Sequence, residues 1–122
     1  MTHKIKECRY LCSQLVTVLY EDHSWKTHHA TANLEEISYT TATLLSENNV
    51  ESGLPISFHA KGQDLYGVVE SSELDATLGW FITIKLDPFS RWHGRLFVPE
   101  HFLALCASAI SDVTEVITIR AR

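Results

Sequence analysis

Hydrophobic residues recur at every second position through much of this chain, and this period constrains the fold more than any other feature of the sequence. In the segment GWFITIKLD, one side of an extended strand carries Trp80, Ile82, Ile84 and Leu86. Successive residues of a strand point to opposite faces of a sheet, so one face can pack into a core while the other meets solvent or neighbours. The sequence therefore predicts a mainly β fold.

The same reasoning predicts about five further strands. LPISFHA alternates in the same way, SQLVTVLY is rich in β-branched and aromatic residues, and DLYGVVESS follows a turn at Lys61 and Gly62. Residues 26–34 and 39–46 carry weaker signals, but both are threonine-rich and are spaced like strands of a small antiparallel barrel or sandwich. Six antiparallel strands are expected.

A change of period near the C-terminus predicts one helix. Pro99 suits a first helical position, and FLALCASAI places Phe102, Cys106 and Ala109 at helical spacing. The expected helix covers residues 99–109 and caps one end of the sheet structure. The following VTEVITI stretch is expected to be a final strand or a docking tail.

Length and charge limit the domain organisation and the partners. A chain of 122 residues that is 45% hydrophobic can form one core, so residues 1–122 are expected to be a single domain. Ten Lys and Arg residues against 15 Asp and Glu residues give a net charge of −5, which disfavours duplex nucleic acid as a partner. No apolar run is long enough to span a membrane or to act as a signal peptide, so we expect a cytoplasmic protein without membrane insertion.

The cysteines and histidines suggest neither a disulfide framework nor a metal site. Cys8, Cys12 and Cys106 form an odd set, so three free thiols in a reducing compartment are expected. Among seven histidines, His28 and His29 are adjacent and would point to opposite faces of a strand. The sequence contains no H-E-x-x-H and no C-x-x-C motif, so no metal and no other cofactor are expected.

Catalytic chemistry has little support in the sequence. There is no G-x-S-x-G nucleophile elbow, and no histidine is placed by sequence near Ser38 or Cys106. In ANLEEISYTTATL, the adjacent Glu35 and Glu36 would project to opposite sides of a strand, whereas an acid–base pair needs both carboxyls near one bond. A binding module is therefore favoured over a small-molecule enzyme.

Basic residues are interleaved with aromatic and apolar ones in FSRWHGRLFVPEHF, where Arg91, His93 and Arg95 alternate with Trp92 and Leu96. Two interpretations fit this pattern. One is a surface on which nucleotide bases stack, and the other is a half-buried edge whose arginine stems cover apolar surface.

Taken in order, these segments resemble the PilZ domain family, small bacterial β-barrels known as receptors for cyclic di-GMP. CRYLCSQLVTV leads into the first strand, and ANLEEISYTTATL falls where the family carries its D/N-x-S-x-x-G motif. NNVESGLPISF, LYGVVE and GWFITIKL follow with similar spacing, and RWHGRLFVPEHFL supplies a closing helix. The likeness covers roughly residues 8–104, and it implies a six-stranded antiparallel barrel with a C-terminal helix and a role in signalling.

The first family motif is degenerate in this chain. The family has two arginines, four residues apart, just before the first strand, and they hold the phosphates and guanines of the ligand. The best alignment places Cys8 and Cys12 at these positions, with Arg9 displaced by one residue. A neutral thiol does not reproduce the planar bidentate fork of an arginine.

The second motif is only partly retained. Glu36 takes the acidic or amide position, Ser38 is kept, and Thr41 replaces the terminal glycine with a β-branched side chain. The motif-equivalent residues are therefore Cys8, Arg9, Cys12, Glu36, Ser38 and Thr41.

The resemblance, with these departures, implies a regulatory module with weak or lost cyclic di-GMP binding that acts by contact with an unidentified protein partner. A functional receptor with an altered loop is the alternative, and it would use Arg9 together with Arg91 or Arg95.

Overall fold

A computed structural model of the chain describes residues 8–105, which form a closed antiparallel barrel. Its strands are β1 (Arg9–Glu21), β2 (Thr27–Ile37), β3 (Thr41–Ser46), β4 (Pro55–Ala60), β5 (Gln63–Asp75) and β6 (Gly79–Leu86). Around the barrel they run in the order β1, β2, β3, β6, β5 and β4, and β4 pairs with β1 to close the ring. A single 3-10 turn, Pro88–Ser90, follows β6, and a seventh strand, β7 (Leu103–Leu105), pairs with the start of β1.

The alternating segments supply the core, as the sequence predicts. Buried side chains from all six strands include Val16, Val18, Leu34, Leu44, Ile56, Phe58, Leu65, Val69, Ile82, Ile84 and Leu86. Each buried side chain of this size stabilises the fold by roughly 1.5–3 kcal/mol relative to an exposed one. The six expected strands are confirmed, and the weaker segments 26–34 and 39–46 correspond to β2 and β3.

β2 contains one extra residue that changes the direction of its side chains. The register between β2 and β3 shifts between Leu34 and Glu36, so Glu35 has no partner residue on β3. Leu34 and Ile37 are both fully buried although they are three positions apart, a spacing that a bulge permits and a regular strand does not. Glu35 and Glu36 are both partly exposed, so the prediction that they project to opposite sides of the strand is wrong.

The predicted helix over residues 99–109 is absent from its described part. Leu103–Leu105 form β7, antiparallel to Arg9–Leu11, and the residues just before them have no regular structure. β4 pairs only with Thr17–Tyr20 of β1, which leaves the earlier part of the same β1 edge available for backbone pairing. An open strand edge therefore outweighs the local helical spacing. The rest of the predicted helix and the VTEVITI tail lie outside the described residues.

Aromatic rings, rather than a helix, pack beside the start of β1. Trp92 is buried, and its indole Nε1 donates a hydrogen bond of 3.0 Å to the carbonyl oxygen of Phe97. Tyr10 contacts Trp92 edge-on at 5.2 Å and stacks on Phe102 at 4.8 Å between ring centroids. Because Trp92 is buried in the core, its indole is not exposed as a stacking surface for nucleotide bases. Within residues 8–105, no helix has the length and apolar character of a membrane span.

Candidate functional site

The motif-equivalent residues meet where β1 begins and β2 turns into β3. Tyr10 lies opposite Ile37 and Leu11 lies opposite Glu36 in the antiparallel register. Arg9 and Cys12 are therefore placed alongside Glu36 and the turn that follows it. The structure thus brings together the residues that the sequence alignment selects, and their contacts decide what they can bind.

Arg9 is engaged by the carboxylate of Glu36. Its Nη1 atom lies 3.2 Å from Oε2 of Glu36, and the two side chains are 59% and 25% exposed. A pair this exposed contributes only about 0–1 kcal/mol to stability. The carboxylate of Glu36 offsets the positive charge of Arg9 at this position.

Ser38 closes the turn between β2 and β3. Its side chain is buried, its Oγ accepts a hydrogen bond from the backbone N–H of Thr41 at 3.1 Å, and it shares a second bond of 2.9 Å with Oγ1 of Thr41. The backbone N–H of Ser38 donates to the carbonyl oxygen of Thr41 at 2.8 Å. The hydroxyl is therefore used within the turn itself, which gives Ser38 and Thr41 a structural role here.

Cys12 is a buried, neutral thiol. Its Sγ atom contacts the carbonyl oxygen of Leu34 at 3.5 Å. Burial, followed by the nearby carboxylates of Glu35 and Glu36, raises the pKa of Cys12 to about 12. A thiol with this pKa is a poor nucleophile and offers no positive charge to a phosphate.

The expectation of three free thiols holds at one described position and fails at another. Cys12 is free, whereas Cys8 is disulfide-bonded, and Cys106 lies outside the described residues. The prediction is therefore wrong for Cys8. Because Cys8 is not a free thiol, it does not support the inference of a reducing compartment.

A second arginine reaches the same turn from the segment after β6. The guanidinium carbon of Arg91 lies 5.6 Å from the ring centroid of Tyr39, within the range of a cation–π contact. The backbone N–H of Trp92 donates to the carbonyl oxygen of Tyr39 at 3.2 Å and fixes this approach. The Nη1 atom of Arg91 is buried and has no hydrogen-bond partner among the described residues. Arg95, by contrast, is exposed in the turn of residues 94–96.

Three of the six described histidines each pair with a single carboxylate. The pairs are His23 with Glu51 at 2.6 Å, His28 with Asp22 at 2.8 Å and His59 with Asp64 at 2.8 Å. A structural metal site needs about four ligands. In the part of the chain that the structure describes, no group of three or more His, Cys, Asp or Glu residues is placed to hold a metal ion.

A separate groove of about 530 Å³ lies at the other end of β1, beside the turn into β2 and over β4 and β5. Its apolar wall includes Leu19, Trp25 and Tyr66, which are 41%, 82% and 52% exposed. Three carboxylates also line it, from Glu21, Asp22 and Asp87. The groove shares no lining residue with the motif-equivalent set.

Asp22 fixes the turn that carries Trp25. Its Oδ1 atom accepts hydrogen bonds from the backbone N–H groups of Ser24 at 2.8 Å and Lys26 at 3.0 Å, and its Oδ2 atom lies 2.8 Å from Nε2 of His28. The His28 contact first, and then the bonds from Ser24 and Lys26, lower the pKa of Asp22 well below its ordinary value. Within this turn Trp25 adopts a left-handed backbone conformation with φ 68°.

Sequence reasoning missed this groove. The stretch EDHSWK has the composition of a polar turn between two strands. Because most of its residues are polar or charged, the one tryptophan in it was not considered as part of a binding surface. The available signal was the tryptophan itself, since a large apolar side chain in a short hairpin turn has few ways to become buried.

Comparisons with protein-family models, with curated proteins and with solved structures found no match for this chain. Its function must therefore be inferred from its own residues, at the start of β1 and at the groove.

Proposed function

We propose that this chain is a PilZ-like regulatory module that acts through protein contacts and binds cyclic di-GMP weakly or not at all. The six-stranded closed antiparallel barrel agrees with the fold that the resemblance implies. The alignment is also supported by the proximity of its residues, because Arg9 and Glu36 come into contact.

The observation that carries the proposal is the ion pair between Arg9 and Glu36. Cyclic di-GMP is a dianion, and a guanidinium binds phosphate through two parallel charge-assisted hydrogen bonds. Here Arg9 is already paired with the carboxylate of Glu36, and Cys12 is a neutral buried thiol. A phosphate bound to Arg9 would lie close to the negative charge of Glu36.

The expected loss of affinity can be bounded. Each hydrogen bond to a charged group contributes about 1.5–3 kcal/mol, so the absence of two arginine contacts removes roughly 3–6 kcal/mol. At about 1.4 kcal/mol per decade, this is on the order of a hundredfold to a ten-thousandfold in Kd. With an increase in Kd of this size, a site of micromolar affinity would no longer bind cyclic di-GMP measurably over most of that range.

Isothermal titration calorimetry with cyclic di-GMP at fixed salt tests the proposal. We expect no measurable binding by the natural sequence, and a sub-micromolar Kd would contradict it. The variant Glu36→Gln releases Arg9 from its carboxylate. If the alignment is right, this variant gains affinity relative to the natural sequence, while Glu73→Gln, an exposed charge change on β5, does not.

A second candidate, a cyclic di-GMP receptor with an altered loop, is favoured by one specific observation. Arg91 approaches the turn of Ser38 and Thr41 through Tyr39, and its buried Nη1 atom lacks a hydrogen-bond acceptor among the described residues. A buried donor without an acceptor is unfavourable, and a phosphate oxygen would satisfy it. Under this candidate the natural sequence binds the dinucleotide, Arg91→Ala abolishes binding, and Arg95→Ala serves as the matched control.

A further inference from the structure

The groove beside the β1–β2 turn has a combination of features that the motif-equivalent residues do not explain. We propose that it is a docking site for a segment of a partner protein in which apolar side chains stand beside Lys or Arg. This inference rests on the proposed function, because it identifies the surface through which a module without a nucleotide site would act.

The apolar character of the groove comes from large side chains that the fold leaves uncovered. Trp25 is 82% exposed, Tyr66 is 52% exposed and Leu19 is 41% exposed, while Leu54 and Ile56 form buried parts of the same wall. Contiguous exposed apolar surface marks an interaction site more often than scattered single residues do. Tryptophan and tyrosine are also the residue types that most often dominate binding energy at protein interfaces.

The charge of the groove determines the chemistry of the partner. Glu21, Asp22 and Asp87 line it, and no Lys or Arg does among the described residues. Its one basic lining residue, His23, faces the carboxylate of Glu51 at 2.6 Å. A negative surface of this kind favours a positively charged partner and disfavours a second copy of the same groove, since like charges would then be brought together.

The backbone of the turn that carries Trp25 is held by hydrogen bonds within the chain. Asp22 accepts three hydrogen bonds within the turn, from the backbone N–H groups of Ser24 and Lys26 and from the Ser24 hydroxyl. Trp25 itself has φ 68°, a backbone conformation unfavourable for a residue with a Cβ atom. Such conformations cluster at binding sites, and a turn whose backbone is already ordered loses less conformational freedom on binding than a mobile turn.

The test uses the full chain, labelled with ¹⁵N, and three capped peptides as probes: Lys-Leu-Arg-Leu-Lys, Lys-Ser-Arg-Ser-Lys and Glu-Leu-Glu-Leu-Glu. We expect the first peptide to shift the indole N–H resonance of Trp25 and to bind at least about tenfold more tightly than either of the others. Trp25→Ala and Asp87→Asn should each weaken binding of this peptide several-fold. Leu78→Ala, which removes a 57% exposed side chain on the β5–β6 turn, should leave it unchanged.

Equal binding of the acidic peptide, or shifts that leave the Trp25 indole unmoved, would overturn the docking site. Self-association of the chain through this face, detected by sedimentation velocity and abolished by Trp25→Ala, would also overturn it. The same spectra separate this result from the proposed function. Cyclic di-GMP bound at the motif-equivalent residues would move the amide resonances of Ser38 and Tyr39, whereas the peptide moves Trp25, so either idea can fail alone.

Discussion

The left-handed conformation of Trp25 leads to a prediction about stability with an unusual sign. Glycine normally destabilises a folded protein relative to alanine, because the unfolded chain has more freedom to lose. At Trp25, where φ is 68°, the order should reverse. A residue with a Cβ atom loses roughly 1–2 kcal/mol in this region, and the entropic disadvantage of glycine is roughly 0.5–1 kcal/mol. Trp25→Gly should therefore be more stable than Trp25→Ala by about 0–1.5 kcal/mol.

The indole itself contributes little to the fold. With 82% of Trp25 exposed, its removal gives up little buried area, so Trp25→Gly should be at least as stable as the natural sequence. A stability gain on removal of a large apolar side chain is the pattern expected when a residue is kept for binding rather than for packing.

Urea denaturation measures this difference. The transition can be followed by circular dichroism, with the free energy of unfolding obtained by linear extrapolation and the m-value checked for constancy. Leu78 provides the matched control, because it is also an exposed turn residue but does not have a positive φ. At Leu78 the glycine variant should be less stable than the alanine variant.

Two results would refute the reasoning. One is a Trp25→Gly variant that is less stable than Trp25→Ala, since the backbone would then not be strained at this position. The other is a loss of more than about 2 kcal/mol in both variants, a size typical of a large-to-small change in a core. That loss would show that the indole packs as part of the fold, and the assignment of Trp25 as a binding anchor would lose its basis.

Three further predictions concern the barrel wall and its titrating groups. Gly67→Ala should lower the free energy of unfolding by about 1–3 kcal/mol in urea, because a Cβ atom there would overlap the carbonyl oxygen of Lys85. Cys12, whose pKa is raised from 9.0 to about 12, should resist iodoacetamide at mildly alkaline pH until the protein unfolds. Its contribution to stability should be complete below pH 9.0 and should be lost as the pH rises toward 12. Asp22, whose pKa is lowered chiefly by His28, should titrate by NMR below 3.8, so its stabilising effect is present above that pH and is lost as the pH falls further.

The strands were predictable because their signal is repeated and local. Ile82, Ile84 and Leu86 each satisfy the same alternation, so one misplaced residue would not have hidden the strand. The bulge in β2 depends instead on a competition between neighbours. Leu34 and Ile37 are both buried in the core, and the one inserted residue, Glu35, allows both side chains to point inward.

The C-terminal error has a different physical origin. The helical spacing after Pro99 is a local preference, while β7 forms because the distant β1 edge at Arg9–Leu11 has room for another strand. The pattern of residues 99–109 carries no information about a free strand edge elsewhere in the fold. The alignment of the motifs selected Arg9 and Glu36 as candidate site residues, but the ion pair between them depends on the register of β1 and β2. The exposed Trp25 was missed because a turn composition does not reveal which side chain a turn presents.

The pairing of β7 with β1 also affects how the barrel is made during synthesis. Arg9–Leu11 leave the ribosome before their partners Leu103–Leu105, which emerge after the other described strands. Until then this backbone edge is open, and open edges are templates for pairing with other chains. A chain that terminates before Leu103 would therefore complete the six-stranded ring yet keep an unpaired edge at its first strand. Such a truncated protein should associate with itself during expression at concentrations at which the longer chain does not.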